Sequence, residues 1–194
     1  MPKLNIGQGD KGKTHLLGGK IESEKVWKDS AQIEACGALD ELVSFIGYMR
    51  AYTDKKHKDI DVILEQIQDY LFRIESHISA NREWQKHPTL PYVGPSLVDF
   101  LKKTMDYYEK DLPLLENFIL PSGAKLATLI HVGRTEARRV ERKLVALAQK
   151  QDINECAVPY LNRLSDVFFT LTRVVNKREN AVETIWRGRD KNRP

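Results

Sequence analysis

The amino-acid sequence predicts an all-α fold, a five-helix bundle with up-down packing that follows an irregular N-terminal loop. Five segments carry apolar residues at the three- and four-residue spacing of an amphipathic helix. No segment alternates polar and apolar residues for long enough to build a sheet. The 194 residues are 41% hydrophobic, which suffices for a substantial core. We therefore expect a single domain over residues 1–194.

Residues 1–29 are predicted to be a loop, because glycines interrupt every helical period there. The segment Gly7–Thr14 matches the P-loop sequence motif. A true P-loop lies between a strand that precedes it and a helix that follows it. Only six residues precede Gly7, and Gly18 and Gly19 break any helix after Thr14, so a P-loop NTPase is not expected. Glycine-rich backbone with Lys11 and Lys13 nevertheless suits phosphate binding. We interpret the segment as a ligand loop.

The five helices are predicted from their apolar stripes. Ser30 is a suitable N-cap for the first, which is predicted to end near Ala51. The other stripes cover residues 60–78, 97–108, 126–147 and 161–175, with Pro113 closing the third helix and Pro159 preceding the fifth. We therefore place the bundle at residues 30–180 and a C-terminal tail at 181–194. Up-down packing of such helices is ferritin-like.

Composition narrows the class of protein. Lys and Arg total 31 against 27 Asp and Glu, a net charge of +4 that favours anionic ligands without requiring nucleic acid. Two isolated cysteines, Cys36 and Cys156, argue against a disulfide framework and favour a reducing cytoplasm. No apolar run approaches the ~20 residues of a membrane span, and Met1–Gly12 does not resemble a signal peptide. No histidine has a Glu three residues before it, so we expect no di-iron site and no other protein-held metal.

Polar residues interrupt the apolar pattern of the last two helices. Arg134, Arg138 and Arg142 recur every four residues, so their cations project from one sector of a helix and suit a polyphosphate. A solvated face with modest ion pairs is the alternative. Asn162 interrupts the fifth helix in the same way, and Asp40, near the core boundary of the first helix, is expected to need an Arg partner.

Together these segments resemble the PduO-type, or human-type, ATP:cob(I)alamin adenosyltransferases over nearly the whole chain. The motifs that carry the resemblance are Gly9–Gly12, Lys28–Asp29, Ile33–Ala35, Gly37 with Leu39–Leu42, Phe118–Pro121, Arg134–Thr135, Arg138–Arg139, Glu141–Arg142 and Tyr160–Asp166. The resemblance implies a homotrimer with active sites at subunit interfaces. It implies transfer of the 5′-deoxyadenosyl group of ATP to the Co(I) of cob(I)alamin, with triphosphate leaving and Mg²⁺ on the phosphates. A B12-dependent enzyme would receive the product, and no nucleic acid or membrane is implied as a partner.

The resemblance also implies roles for individual residues. ATP would be bound by Gly9, Asp10, Gly12, Lys13, Thr14, Lys28, Arg134, Arg138, Arg139, Glu141, Arg142 and Asn162. Asp40 matches an aspartate that pairs with the arginine at Arg138 across the interface. Phe118 matches an aromatic residue beneath the corrin, which keeps the lower axial ligand off cobalt and eases its reduction. The expected catalytic set is therefore Arg138, Asp40 and Phe118.

Some positions depart from the family pattern. The segment Asn5–Gln8 lacks the usual cation and hydroxyls, and Gln32, Cys36 and Ser122 replace a usual Arg, Tyr and Gly. Two alternatives therefore stand beside the enzyme. One is a nucleotide- or corrinoid-binding homologue with weak or no turnover. The other is a basic helical nucleic-acid binder using residues 134–143, which lack the interleaved aromatics expected of one.

Overall fold

The computed structural model describes residue 7 and residues 9–188, and within them it confirms the all-α prediction. The helices are α1 Ala31–Arg50, α2 Lys58–Ser79, α3 Pro95–Glu109, α4 Lys125–Ala148 and α5 Ala157–Arg178. Two short strands, β1 Lys13–Thr14 and β2 Val26–Trp27, pair antiparallel ahead of them. All five apolar stripes are therefore helices. The family departures at positions 5, 6 and 8 and the end of the predicted tail, 189–194, lie outside the described residues.

Helix α4 lies at the centre of the bundle and packs against α1 and α5, while α2 packs on α1 and α3 on α5. The core is formed by the predicted stripes, with Ile60, Leu64, Ile67, Leu71 and Ile74 of α2 almost fully buried. Gly133 of α4 faces Met49 of α1, and an added Cβ there would collide with the methionine side chain. The start of α1 lies beside the end of α4, so the two helices run antiparallel.

The start of α1 agrees with the sequence prediction, whereas the start of α5 does not. Ser30 caps α1, since its hydroxyl accepts the Ile33 backbone N–H at 3.4 Å. The fifth helix was predicted to start after Pro159, but it begins at Ala157 and includes that proline. Proline is tolerated in a first turn because the N–H groups there have no partner within the helix.

Two segments that are distant in sequence pair at the end of the bundle where α4 begins. The Leu120 N–H donates to the Thr184 carbonyl at 2.8 Å, and the Trp186 N–H donates to the Phe118 carbonyl at 2.7 Å. Ile119 and Ile185 form the antiparallel bridge between these bonds. The segment leading into α4 is thereby fastened to residues beyond α5.

Among the described residues, no helix combines the length and apolar content that crossing a membrane demands.

Candidate functional site

A cleft of about 520 Å³ lies where the N-terminal loop meets the start of α1 and the second half of α4. Its lining comprises Thr14, His15, Leu16, Lys28, Ile33, Glu34, Cys36, Gly37, Ala38, Glu41, Ser79, Arg139 and Lys143. Four of these side chains carry or can carry positive charge. The cleft thus joins two regions that the sequence pointed to separately, the glycine loop and the arginine helix.

The glycine loop is held in a defined conformation against β2. The Lys28 N–H donates to the Gly12 carbonyl at 2.9 Å, and the Lys28 ammonium lies 2.9 Å from the position that a Cβ on Gly9 would take. Gly12 has φ +76°, a left-handed conformation that disfavours any side chain. Lys13 pairs with Trp27 and places its ammonium 4.7 Å from that ring. The residues directly after Thr14 form no α-helix, and a single 3₁₀ turn, Glu22–Glu24, follows only beyond Gly18 and Gly19.

Backbone pairing fixes the loop to the bundle. The Leu17 N–H donates to the Ser79 carbonyl at 2.8 Å, and the Asn81 N–H returns a bond to the Leu17 carbonyl at 2.9 Å. The residues beyond Thr14 are therefore tied to the end of α2. This anchoring sets the wall of the cleft opposite α4.

The cations of α4 that face the cleft are paired with carboxylates. Arg139 forms ion pairs with Glu41 and, at 2.6 Å, with Glu136. Lys143 bonds to Glu34 at 2.5 Å, and this hydrogen bond lowers the pKa of the Glu34 carboxyl. The bond to Glu41 contributes most to a raised pKa of Arg139. All these groups are solvent-accessible, so a more highly charged anion can replace the carboxylates.

The arginine stripe continues along α4 beside the cleft. Arg138 and Arg142 are exposed, and a guanidinium N–H of Arg142 donates to the Arg138 carbonyl at 3.2 Å. Arg134 is half-buried, its Nε has no hydrogen-bond partner, and burial followed by the Arg138 charge lowers its pKa. One turn earlier, His131 is buried with both ring nitrogens unpartnered. Its pKa falls to about 4 because burial, and then the Arg134 charge, disfavour the imidazolium.

Asn162 of α5 joins this stripe. Its amide donates to the Glu141 carboxylate at 2.9 Å, so two predicted ATP contacts from adjacent helices meet directly. Arg163 and Asp166 instead pair with each other at 2.8 Å. Of the polar residues that interrupt α5, Asn162 is therefore the one bonded to the arginine helix.

Asp40 is exposed, so its expected position near the core boundary is wrong. Within the described residues it has no hydrogen bond or ion pair, and the guanidinium of Arg138 has no ion pair either. Their immediate neighbours, Glu41 and Arg139, pair with each other within the chain. Successive helical residues differ by ~100° in direction, so Asp40 and Arg138 project away from that pair. Asp40 and Arg138 are thus an exposed carboxylate and an exposed guanidinium beside the paired lining residues Glu41 and Arg139.

Phe118 lies at the other end of the bundle, on the segment fastened to residues 184–186. Its side chain is 77% exposed, and its ring centre is 6.3 Å from that of Trp186, with the planes at 73°. The two rings line a shallow cleft of about 390 Å³ together with residues 115–117, 187 and 188. Arg138 is separated from the start of α4 near Phe118 by about 20 Å of helix axis.

Sequence reasoning missed several members of these clefts. Glu34 and Glu41 fall within matched family motifs, but neither they nor Lys143 are among the predicted site residues. Their pairing depends on the helix crossing and has no local signature. Trp186 is not among the predicted site residues, because its contact with Phe118 depends on the pairing of segments that are distant in sequence.

Comparison with known proteins decides the family. The family model described as cobalamin adenosyltransferase matches residues 4–175. This chain belongs to the cobalamin adenosyltransferase family. Its similarity to the corrinoid adenosyltransferase of Bacillus subtilis (strain 168) is 40% identity over 178 residues, covering 91% of this chain and 88% of that protein. Its similarity to the corrinoid adenosyltransferase MMAB of Homo sapiens is 35% identity over 194 residues, covering 98% of this chain and 75% of that protein.

A solved structure of a cobalamin adenosyltransferase supports the same assignment. It is a variant of the PduO-type ATP:corrinoid adenosyltransferase from Lactobacillus reuteri, complexed with cobalamin and ATP. The two chains share 30% identity with a TM-score of 0.88, and the match covers 96% of this chain and 100% of that chain. The family and the fold inferred from the sequence motifs are both confirmed.

Proposed function

We propose that this chain transfers the 5′-deoxyadenosyl group of ATP to the cobalt of cob(I)alamin, forming adenosylcobalamin and triphosphate. The cobalt(I) electron pair forms the bond to C5′, and the pair of the broken C5′–O bond leaves on the triphosphate. No proton transfer is needed, so the protein acts by positioning and charge stabilisation. The observation that carries the proposal is the cationic cleft between the glycine loop and α4, in a chain whose relatives are adenosyltransferases.

The cleft suits the triphosphate of ATP. Lys28, Arg139 and Lys143 line it from two sides. From the glycine loop, Thr14 lines the cleft and Gly9 lies against the Lys28 side chain. We assign the triphosphate, with Mg²⁺ on its oxygens, to these cations. The phosphates would then replace Glu41 and Glu34 as the partners of Arg139 and Lys143. Arg142 and Glu141 of α4 and Asn162 of α5 would contact the remainder of the nucleotide.

We further propose that a second copy of the chain completes the site, as expected of a homotrimer. The support is the unpaired state of Asp40 and Arg138, whose neighbours pair within the chain. An exposed carboxylate and an exposed guanidinium of this kind can form a bidentate pair between two copies. Arg138 would then be held at the interface where the nucleotide binds.

The corrin ring would lie against Phe118. An exposed phenyl ring, backed by Trp186, offers the flat apolar surface that a macrocycle needs. With an apolar group below cobalt, no donor ligand can approach from that side, which favours the Co(I) state.

We also propose the extent of the domain, the cellular compartment and the recipient of the product. We infer one adenosyltransferase domain over residues 1–194, with the family match over 4–175 as support. Free thiols at Cys36 and Cys156 are compatible with a reducing cytoplasm. A B12-dependent enzyme is the expected recipient of the product.

The test is the absorbance change from cob(I)alamin to adenosylcobalamin on addition of ATP. We expect conversion by the wild-type chain, with one triphosphate released per product, and a loss of at least tenfold in Arg138→Ala. Arg73→Ala is the matched control, because Arg73 pairs with Asp69 on α2, outside both clefts. No conversion by the wild type would refute the proposal, and ATP binding without conversion would favour a binding homologue.

A further inference from the structure

Three potential metal ligands meet at the end of the bundle remote from the nucleotide cleft. Asp54 and His57 lie in the connection between α1 and α2, and Glu179 is the C-cap of α5. One ligand atom from each lies within 4.8 Å of the others. None of them belongs to the clefts described above.

The histidine is buried and held in one orientation. His57 is 3% exposed, and its Nδ1 lies 2.9 Å from the Asp54 carboxylate. The same Asp54 oxygen accepts the Lys56 backbone N–H at 2.8 Å. Because the Asp54 carboxylate accepts this bond, Nδ1 is the donor, which leaves Nε2 as the nitrogen available to a metal ion.

That nitrogen has no hydrogen-bond partner although it is buried. It lies 3.5 Å from a carboxylate oxygen of Glu179, outside hydrogen-bond geometry. A buried and unpartnered imidazole nitrogen is costly unless something binds it.

We propose that His57 and Glu179 bind a divalent transition-metal ion, with zinc as the representative, and that Asp54 orients the histidine. Zinc lies about 2.0–2.2 Å from nitrogen and oxygen ligands, so two ligands of a tetrahedral site are about 3.4 Å apart. The observed separation of 3.5 Å fits that spacing. Water fills the remaining positions, and Asp54 forms the carboxylate–histidine–metal arrangement found around many metal ligands.

The neighbouring charges permit binding. The Lys56 ammonium lies 3.5 Å from the same Glu179 oxygen, but its side chain is 63% exposed and can move into solvent. Arg178, the next cation, is held by two bonds of 2.7 Å to Asp59. A divalent ion therefore displaces one exposed ammonium and leaves the Arg178 pair intact.

The site joins parts of the chain that are distant in sequence. Residues 54–57 precede α2, whereas Glu179 starts the turn that leads to Trp186 beside Phe118. In that turn Asn180 has φ 54°, and the Ala181 N–H donates to the Asn176 carbonyl at 2.9 Å. Metal binding would fasten the base of this segment to the α1–α2 connection.

The test is a titration of the full-length, chelator-treated protein with Zn²⁺, without ATP or corrinoid, so its outcome is independent of the proposed reaction. We expect one saturable equivalent by calorimetry and a rise in Tm. Glu179→Gln, a half-exposed position, should lose at least tenfold in affinity, as should His57→Gln. Asp54→Asn should weaken binding about 10- to 100-fold.

His87→Gln is the matched control, since the His87 ring hydrogen-bonds to Thr89 and stacks on Trp84, outside the cluster. It should bind zinc as the wild type does. Absence of saturable binding to the wild type would overturn the proposal. So would equal affinity in Glu179→Gln, which would place the ion elsewhere in the molecule.

Discussion

Replacing Asn176 with alanine tests how the bundle holds the turn between Phe118 and α4. Asn176 is 1% exposed near the end of α5. Its amide oxygen accepts the Ala124 N–H at 2.9 Å, and its amide nitrogen donates to the Ser122 carbonyl at 3.1 Å. Between these residues Gly123 has φ +112°, and an added Cβ would collide with the Asn176 amide. The Asn176 side chain therefore provides hydrogen-bond partners for the backbone on both sides of the turn.

The Asn176→Ala variant leaves both the Ala124 N–H and the Ser122 carbonyl without their hydrogen-bond partner. Each buried backbone group left without a hydrogen bond costs about 1–3 kcal/mol, and the turn is close enough to the surface for water to recover part of that. We expect a loss of about 2–4 kcal/mol in the free energy of unfolding. For a chain of this size, 1 kcal/mol corresponds to about 2–4 °C, so Tm should fall by roughly 5–15 °C.

Urea and thermal unfolding at one fixed protein concentration measure the loss, because oligomers make Tm depend on concentration. Asn117→Ala is the matched control, an exposed asparagine in the segment beside Phe118. It should change the free energy by less than about 0.5 kcal/mol. If Asn176→Ala were as stable as this control, the reasoning about the turn would be wrong.

Three further changes test the electrostatics. Burial raises the pKa of Glu75 to about 7 from an ordinary 4.5, so wild-type stability should fall as pH rises from 4.5 to 7. Urea unfolding should find Glu75→Gln more stable than the wild type at pH 8 but not at pH 4.5, and a gain that does not grow with pH would contradict this. Burial lowers the pKa of His131 to about 4 from 6.5, so wild-type stability should fall as pH drops from 6.5 to 4. In the same assay His131→Leu should flatten that decline, and an unchanged pH profile would exclude His131 as its source. Arg139→Gln should weaken ATP binding about tenfold or more by calorimetry, whereas equal affinity in Arg139→Gln and the control Arg73→Gln would remove Arg139 from the nucleotide site.

The helices were predictable because each needs only a local signal. The stripe of Ile60, Leu64 and Ile67 specifies one buried face, and Ser30 specifies where α1 begins. Pro159 misled the prediction of α5, because a proline in a first turn and a proline before a helix look alike in sequence.

The sites were predictable only in part. The repeat of Arg134, Arg138 and Arg142 locates a cationic face on α4, but it does not reveal that Arg139 is the arginine facing Glu41. That assignment depends on how α1 crosses α4. The contact of Phe118 with Trp186, and of His57 with Glu179, joins segments far apart in the chain and leaves no pattern in either segment.

The most direct test of the proposed site is a mixing experiment with two inactive chains, Asp40→Ala and Arg138→Ala. If these residues pair between copies of the proposed trimer, some interfaces in a mixed assembly combine an intact Asp40 with an intact Arg138. After unfolding and refolding together at equal amounts, adenosylcobalamin formation should recover to about a quarter of the wild-type rate. Each variant refolded alone should remain inactive. No recovery in refolded mixed trimers would contradict a site shared between two copies.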